Sequence, residues 1–508
     1  MKNSLNRIIP NDMKAYKGMN QIFKQKNRKL VAETLTKNEK KQVDSLRILF
    51  DLIPITDGMT LSFHHHLRNG DGIINMVLNE IKTRNLKNMT LAPSAIFPIN
   101  EPMVDLIKNK NITQIFTNYM NGPVAQAIGD GYLEKPVIMD THGGRARAIE
   151  SGELIIDVAF IGVPCADING NGNGLEGKSA CGTLGYAIAD MKYAKHKVVI
   201  TDYITTNIKP IEIESKYIDY IIKVDAIGES EGIVSGTTKP TKDPVQLKIA
   251  KDTIKLIEQL GYIEQEMSFQ TGAGGTSLAV AQMLKDRMIE NKIKGSFASG
   301  GITAYLVDMH EYGLFKRLYD VQCFDHEAIA SLRRNANHYS MSASKYANPY
   351  EKSPVVNDLD IVILGATEID SDFNVNVTTD SNGLIIGGSG GHSDTAFGAK
   401  LTIITTNLIK SRTSIVKDHV TTITTPGETV DCLVTERGIA INPKRTDLIK
   451  KLANSKLNIV TIDQLLTIAH DLIGIPKKIE LNQKIIGLIR YRDGSIVDSI
   501  YQLRGDQK

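Results

Sequence analysis

Tryptophan is absent from this chain and cysteine is nearly so: Cys165, Cys181, Cys323 and Cys432 are the only four in 508 residues, scattered with no CxxC pair. Such spacing excludes a disulfide framework and suits free thiols in a reducing compartment. Long apolar runs are missing too. No stretch approaches the roughly 20 residues that a bilayer-crossing helix needs, and the start, MKNSLNRIIPNDMK, lacks the apolar core of a secretory leader. A cytoplasmic protein without membrane contact is the expectation. Excess charge is also lacking: 60 basic against 57 acidic residues leave a net charge of +3. Nucleic acid is therefore not expected as a partner, because phosphate binding needs a concentrated basic face.

What is present, 42% hydrophobic residues in 508, is enough for two or three domains with full cores. Residues 1–42 are rich in Lys and Asn and read as an arm packing on a neighbour. From Val43 the spacing of Val43, Leu46, Leu49 and Phe50 is helical up to Pro54. Strand and helix patterns then alternate through Met89–Ala92, Ile112–Phe116, Val137–Met139, Leu154–Gly162, Val198–Thr201 and Tyr220–Val224, which predicts a mostly parallel sheet wrapped by helices. Between Ser235 and Pro244 the stretch SGTTKPTKDP breaks the rhythm. A boundary there gives a first α/β domain over 43–238 and a second over 239–508, the latter ending in a closed lobe with an Asp-Gly hairpin.

The second half repeats the first. IDVAFIGVPCADINGNGN from Ile156 aligns without a gap on LDIVILGATEIDSDFNVN from Leu359, placing Cys165 on Glu368 and Asn173 on Asn376 at an offset of 203. At the head of each half, Ser62-Phe63 falls on Ser268-Phe269 at an offset of 206. The expectation is two tandem, similar α/β domains arising by internal duplication.

Within the second copy, an apolar strand ends at Gly365 and delivers Glu368 where open α/β sheets place their ligands. Gly387, Gly388, Ser389, Gly390 and Gly391 follow, then His392 at the start of a helix. A carboxylate and a run of bare N–H groups can serve as nucleophile and oxyanion hole for acyl transfer, with Gly388 and Gly390 as donors. Cys165 stands where a carboxylate would be needed, so the first copy is expected to recognise substrate. Glu436, beside Arg437 in a turn, reads as structural.

These segments resemble the coenzyme A transferases: GATEIDSDFNVN, IIGGSGGHSDTAFGA and VTERGIA are similar to the family's motifs. TDGMTLSFHHHLRNGDGIINMVL, THGGRARAIESGELIIDVAFIGVPCADINGNGNG and YRDGSIVDSIYQ look like the branch formed by citrate lyase alpha chains. The resemblance implies transfer of an acyl carrier thioester from acetyl to citrate, releasing acetate. It implies partners too: a gamma chain bearing a phosphoribosyl-dephospho-CoA arm, a beta chain that cleaves the citryl thioester, and an oligomeric complex. No cofactor bound covalently to this chain and no metal are implied. Glu368 matches the catalytic Glu of many coenzyme A transferases. In the citrate lyase branch citrate itself attacks the acetyl thioester in a ternary complex, and Glu368 then orients or acts as a base.

For citrate's three carboxylates, His64, His65, His66 and Arg68 are the expected anchors, with Arg145 and Arg147 as second candidates, since Arg grips carboxylates bidentately. Gly387, Ser389, Gly391 and His392 are expected to line the thioester. The stretch Asn169–Gly174 reads either as a phosphate cradle or as a turn. A thioester hydrolase, or a transferase for another carboxylate, is the alternative on the same scaffold.

Overall fold

The computed structural model describes residues 1–19, 40–234, 241–476 and 479–503. Residues 20–39 of the arm, and the boundary expected between the two halves, lie outside the described residues. The described residues form two large sheets of ten and nine strands. In the first, the order is Gln42–Val43, Tyr220–Lys223, His196–Thr201, Val158–Gly162, Thr60–Phe63, Met89–Pro93, Ile112–Thr117, Val137–Met139, Ile485–Arg490 and Ile496–Tyr501. All pairings are parallel except the last. In the second sheet, Ser268–Thr271 and Ile361–Leu364 are the central neighbours, flanked by Gly295–Ile302 and Leu401–Thr405.

Seven strands run in the same order in both sheets, from Tyr220–Lys223 to Val137–Met139 in one and from Cys432–Thr435 to His338–Ser340 in the other. The offset of 203 recurs in atomic detail, because Cys165 pairs with Asn173 just as Glu368 pairs with Asn376. Asp167 and Asp370 close the same Asx turn, each accepting from the N–H and the side-chain amide four residues on, Asn171 and Asn374. The head strands sit in a different register from the one expected. Thr60 N donates to Asp157, and Ser268 N to the matching Asp360, so the offset there is 208 rather than 206. A slip of two residues keeps every side chain on its own face, which is why the apolar pattern cannot detect it.

Two elements differ from expectation. Val43 belongs to a strand paired with Ile222, and the helix begins after the Ser45 cap, at Leu46. The C-terminal hairpin leaves the second half and adds to the first sheet, with Ile489 beside Met139. It covers the edge that Val137–Met139 would otherwise present. The described start of the arm packs on this hairpin. Asn3 Nδ2 donates to Ile496 O at 3.0 Å, Tyr16 N to the same carbonyl at 3.2 Å, and Ile9 and Tyr16 are buried. Among the described residues, no helix is long and apolar enough to cross a membrane.

Candidate active site

The glycine loop is the seam between the two halves. Gly390 N donates to Asn118 O, Met120 N to Gly387 O, and His142 N to Gly390 O at 2.8 Å. A second-half loop thus lies along the carboxyl ends of two first-sheet strands, where parallel sheets place their ligands. Asp394, in the helix after the loop, accepts from Gly143 N at 2.9 Å and Thr141 Oγ1 at 3.0 Å, and lies 3.3 Å from Arg492 of the hairpin. Burial pushes its carboxyl up to about 6. Gly390 has a φ of +51°, open to few residues but glycine. A side chain at Gly388 would run into Asn118 O. Gly390, expected as an oxyanion donor, has its N–H taken by Asn118 O at 3.2 Å, whereas among the described residues the N–H groups of Gly388, Ser389 and Gly391 make no hydrogen bond.

Glu368 is 1% exposed and held on both oxygens. Oε2 accepts from Asn376 Nδ2 at 2.9 Å and Thr421 N at 2.7 Å; Oε1 accepts from Ser381 Oγ at 2.6 Å and Thr421 Oγ1 at 3.1 Å. Lys417 Nζ stands 3.9 Å from Oε1. The free carboxylate expected at the strand end is therefore a buried, fully hydrogen-bonded one. With four donors on its lone pairs it is poorly placed to attack an acyl carbon.

His392 likewise turns inward. Its Nε2 meets Gly365 O at 2.9 Å, so that nitrogen carries the proton, and Nδ1 accepts from Thr425 Oγ1 at 2.7 Å. Burial lowers its pKa to about 4. It clamps the end of the strand that leads to Glu368.

The histidine triplet is spent inside the fold. His64 Nε2 meets Gly162 O at 3.1 Å, and His66 Nδ1 lies 2.5 Å from Asp71. His65 Nε2 faces Gln322 Oε1 at 3.0 Å and Nδ1 faces Ser94 Oγ at 2.6 Å, tying the halves together. Burial holds His64 and His65 well below the usual histidine range. Arg145 and Arg147, expected as second anchors, are also committed. Arg145 grips both oxygens of Asp190 at 2.9 Å, and Arg147 those of Glu153 at 2.6 and 2.7 Å. Asp190 comes from the helix Ala187–Tyr193, and Glu153 from the turn that follows the arginines' own helix. Arg145→Ala would leave the Asp190 charge buried and unpaired. It is expected to cost about 3–5 kcal/mol, read as a lower denaturation midpoint.

Arg68 differs from all of these. Its backbone takes φ +53°, unusual for a non-glycine residue, and its guanidinium lies 4.8 Å over the Phe324 ring. Its Nη1 lies 3.5 Å from Ile233 O, and among the described residues no carboxylate pairs with it. Burial lowers its pKa, opposed by the Tyr119 and Tyr186 hydroxyls. Tyr119 borders the glycine loop, since a side chain on Gly388 would meet its Cα. A cation without a carboxylate partner among the described residues thus lies across Tyr119 from backbone N–H groups that make no hydrogen bond, an arrangement that suits a multiply charged anion.

The first-half counterparts carry no such chemistry. Burial pushes the Cys165 thiol up to about 11, against thiolate formation. Cys165→Ala is expected to leave turnover within about twofold in a steady-state assay. The Asn169–Gly174 stretch is a turn followed by a short strand: Asn169 and Asn171 donate to Asp167 Oδ1, and Gly172–Asn173 pairs with Cys165–Ala166. Glu436 caps Leu408 N at 2.9 Å. Asn118, Thr421, Ser381 and Lys417 were missed by sequence reasoning, because long-range packing alone brings them to the site.

Residues 39–503 match the family described as citrate lyase, alpha subunit (CitF). The chain is 45% identical over 470 residues to a citrate lyase alpha chain of Haemophilus influenzae, covering 92% of this chain and 94% of that one. Against a citrate lyase alpha chain of Klebsiella pneumoniae it is 43% identical over 498 residues, covering 98% and 97%. A solved structure, the alpha subunit of citrate lyase in complex with citrate from Streptococcus mutans, matches with a TM-score of 0.95 at 43% identity, covering 99% of this chain and 100% of that one. On the breadth of these matches, this chain belongs to the citrate lyase alpha subunit family.

Proposed function

We propose that this chain moves an acyl carrier thioester from acetyl to citrate, giving citryl-[acyl carrier protein] and acetate. As a citrate lyase alpha subunit it is a transferase belonging to a multi-subunit enzyme. Its partners in this reading are a beta chain that cleaves the citryl thioester and a gamma chain whose phosphoribosyl-dephospho-CoA arm is the thioester substrate here. The observation that carries the reading is the Arg68 cation, without a carboxylate partner among the described residues, across Tyr119 from the glycine loop's bare N–H groups. The Streptococcus mutans relative determined with citrate supports the choice of carboxylate.

In this mechanism Arg68 holds citrate, and a citrate carboxylate oxygen attacks the acetyl carbonyl carbon. One C–O bond forms and the carbonyl electron pair moves to oxygen, where the N–H groups of Gly388, Ser389 and Gly391 receive the charge. When C=O reforms, the C–S bond breaks and thiolate leaves, with the mixed anhydride retained. Thiolate then adds to the citryl carbonyl and expels acetate. No proton changes hands, so no general base is needed. Glu368, saturated by its donors, holds Asn376, Ser381 and Thr421 in place. The test is whether acetate release from acetyl-CoA, standing in for the carrier arm, requires citrate. Release at the same rate without citrate would make the chain a thioester hydrolase.

A further inference from the structure

His142 opens the helix His142–Ser151 at the carboxyl end of a first-sheet strand, partly buried beside Tyr186 with ring centroids 4.5 Å apart. Its tautomer is fixed by a neighbour. The Asn118 side-chain amide nitrogen reaches Thr141 O at 3.2 Å, and a carbonyl only accepts, so that atom is the NH₂. The same NH₂ stands 2.9 Å from His142 Nδ1, so Nδ1 must accept and Nε2 must carry the hydrogen. Nε2 makes no hydrogen bond among the described residues. It lies 3.3 Å from the place a Cβ on Gly390 would occupy, at the centre of the glycine loop. Burial, and Arg145 nearby, lower the pKa of His142 to about 3, so the ring stays neutral through the physiological range.

We propose that His142 is a catalytic residue of the transfer, its neutral Nε2–H adding a side-chain donor to the backbone N–H groups that receive the tetrahedral oxyanion. The inference deepens the transferase reading and rests on it. A neutral imidazole suits this role because the step moves electron pairs between carbon, oxygen and sulfur without moving a proton. An imidazolium would give its proton to the alkoxide and stall collapse of the adduct, whereas the neutral N–H donates a hydrogen bond and keeps its hydrogen. The Asn118 contact holds the ring in that tautomer and sets its direction, as a fixed donor requires. The position also explains why the loop carries glycine at 390, since a side chain there would crowd the Nε2–H.

The test compares His142→Leu with His142→Gln in the full chain, using acetyl-CoA and citrate. Leu removes the donor, and Gln returns an amide N–H near the Nε2 position. His142→Leu is expected to lower kcat by about 10²–10³ while KM for both substrates moves less than about threefold. His142→Gln should recover to within about tenfold of the parent. Equal losses in the two variants, or a change confined to citrate KM, would overturn the donor role. If His142→Leu does not fold, nitrogen-15 NMR of the labelled parent chain decides: the proposal requires Nε2 protonated and Nδ1 bare at neutral pH. A charged ring or the opposite tautomer would overturn it. Inactivity of the parent chain would instead refute the transferase reading itself.

Discussion

Glu368→Gln is expected to fold and to lose about a hundredfold in kcat, without abolishing the reaction. The fold should survive because the amide can place its oxygen at the Oε2 position, facing the obligate donors Asn376 Nδ2 and Thr421 N. Its NH₂ would then face Ser381 and Thr421 hydroxyls, which can turn to accept. What is lost is the charge on these bonds and the partner of Lys417. A hydrogen bond to a charged group contributes roughly 1.5–3 kcal/mol, so relaxing this cluster accounts for about a hundredfold. A nucleophile behaves differently, since removing it removes the pathway. Activity below the detection limit, together with a coenzyme A thioester trapped on Glu368 in the parent chain, would show that Glu368 attacks.

Arg68→Ala is expected to raise the citrate KM about thirtyfold or more and leave the acetyl thioester KM almost unchanged. A tricarboxylate entering the site gives up hydration, and Arg68 is the cation there without a carboxylate partner among the described residues. One charge-assisted bidentate contact is worth on the order of 2–4 kcal/mol, which sets that factor. Arg68→Lys should recover only part, because an ammonium cannot reproduce the planar fork or its stacking on Phe324. The opposite pattern, normal for citrate and impaired for the thioester, would show that this loop lines the carrier-arm channel.

Much of the architecture was legible because it rests on local patterns. The alternating strands and helices, the matched Asp turns at 167 and 370, and the correspondence of Cys165 with Glu368 follow from short stretches whose spacing the fold preserves. The slip between offsets 206 and 208 was illegible because a two-residue shift leaves the facing pattern intact. The site was legible only in outline. Glu368, Arg68 and the glycine loop stand out as residue types, but whether a charge is free depends on partners far along the chain. Thr421 comes to Glu368 from 53 residues away, Asp190 to Arg145 from 45, and Asp140 to Arg490 from 350. His142 escaped notice for the same reason, since its tautomer depends on Asn118 and its neighbourhood on a loop from the other half.

The most direct test of the central claim, that a citrate oxygen attacks the acetyl thioester, is a single turnover with enzyme in excess over acetyl-CoA and with citrate carboxyl-labelled in heavy oxygen. The account predicts citryl-CoA in step with acetate, and one labelled oxygen in that acetate, because the bridging oxygen of the anhydride leaves with the acetyl group. Unlabelled acetate formed together with citryl-CoA would contradict it, since the attacking oxygen would then have come from the enzyme.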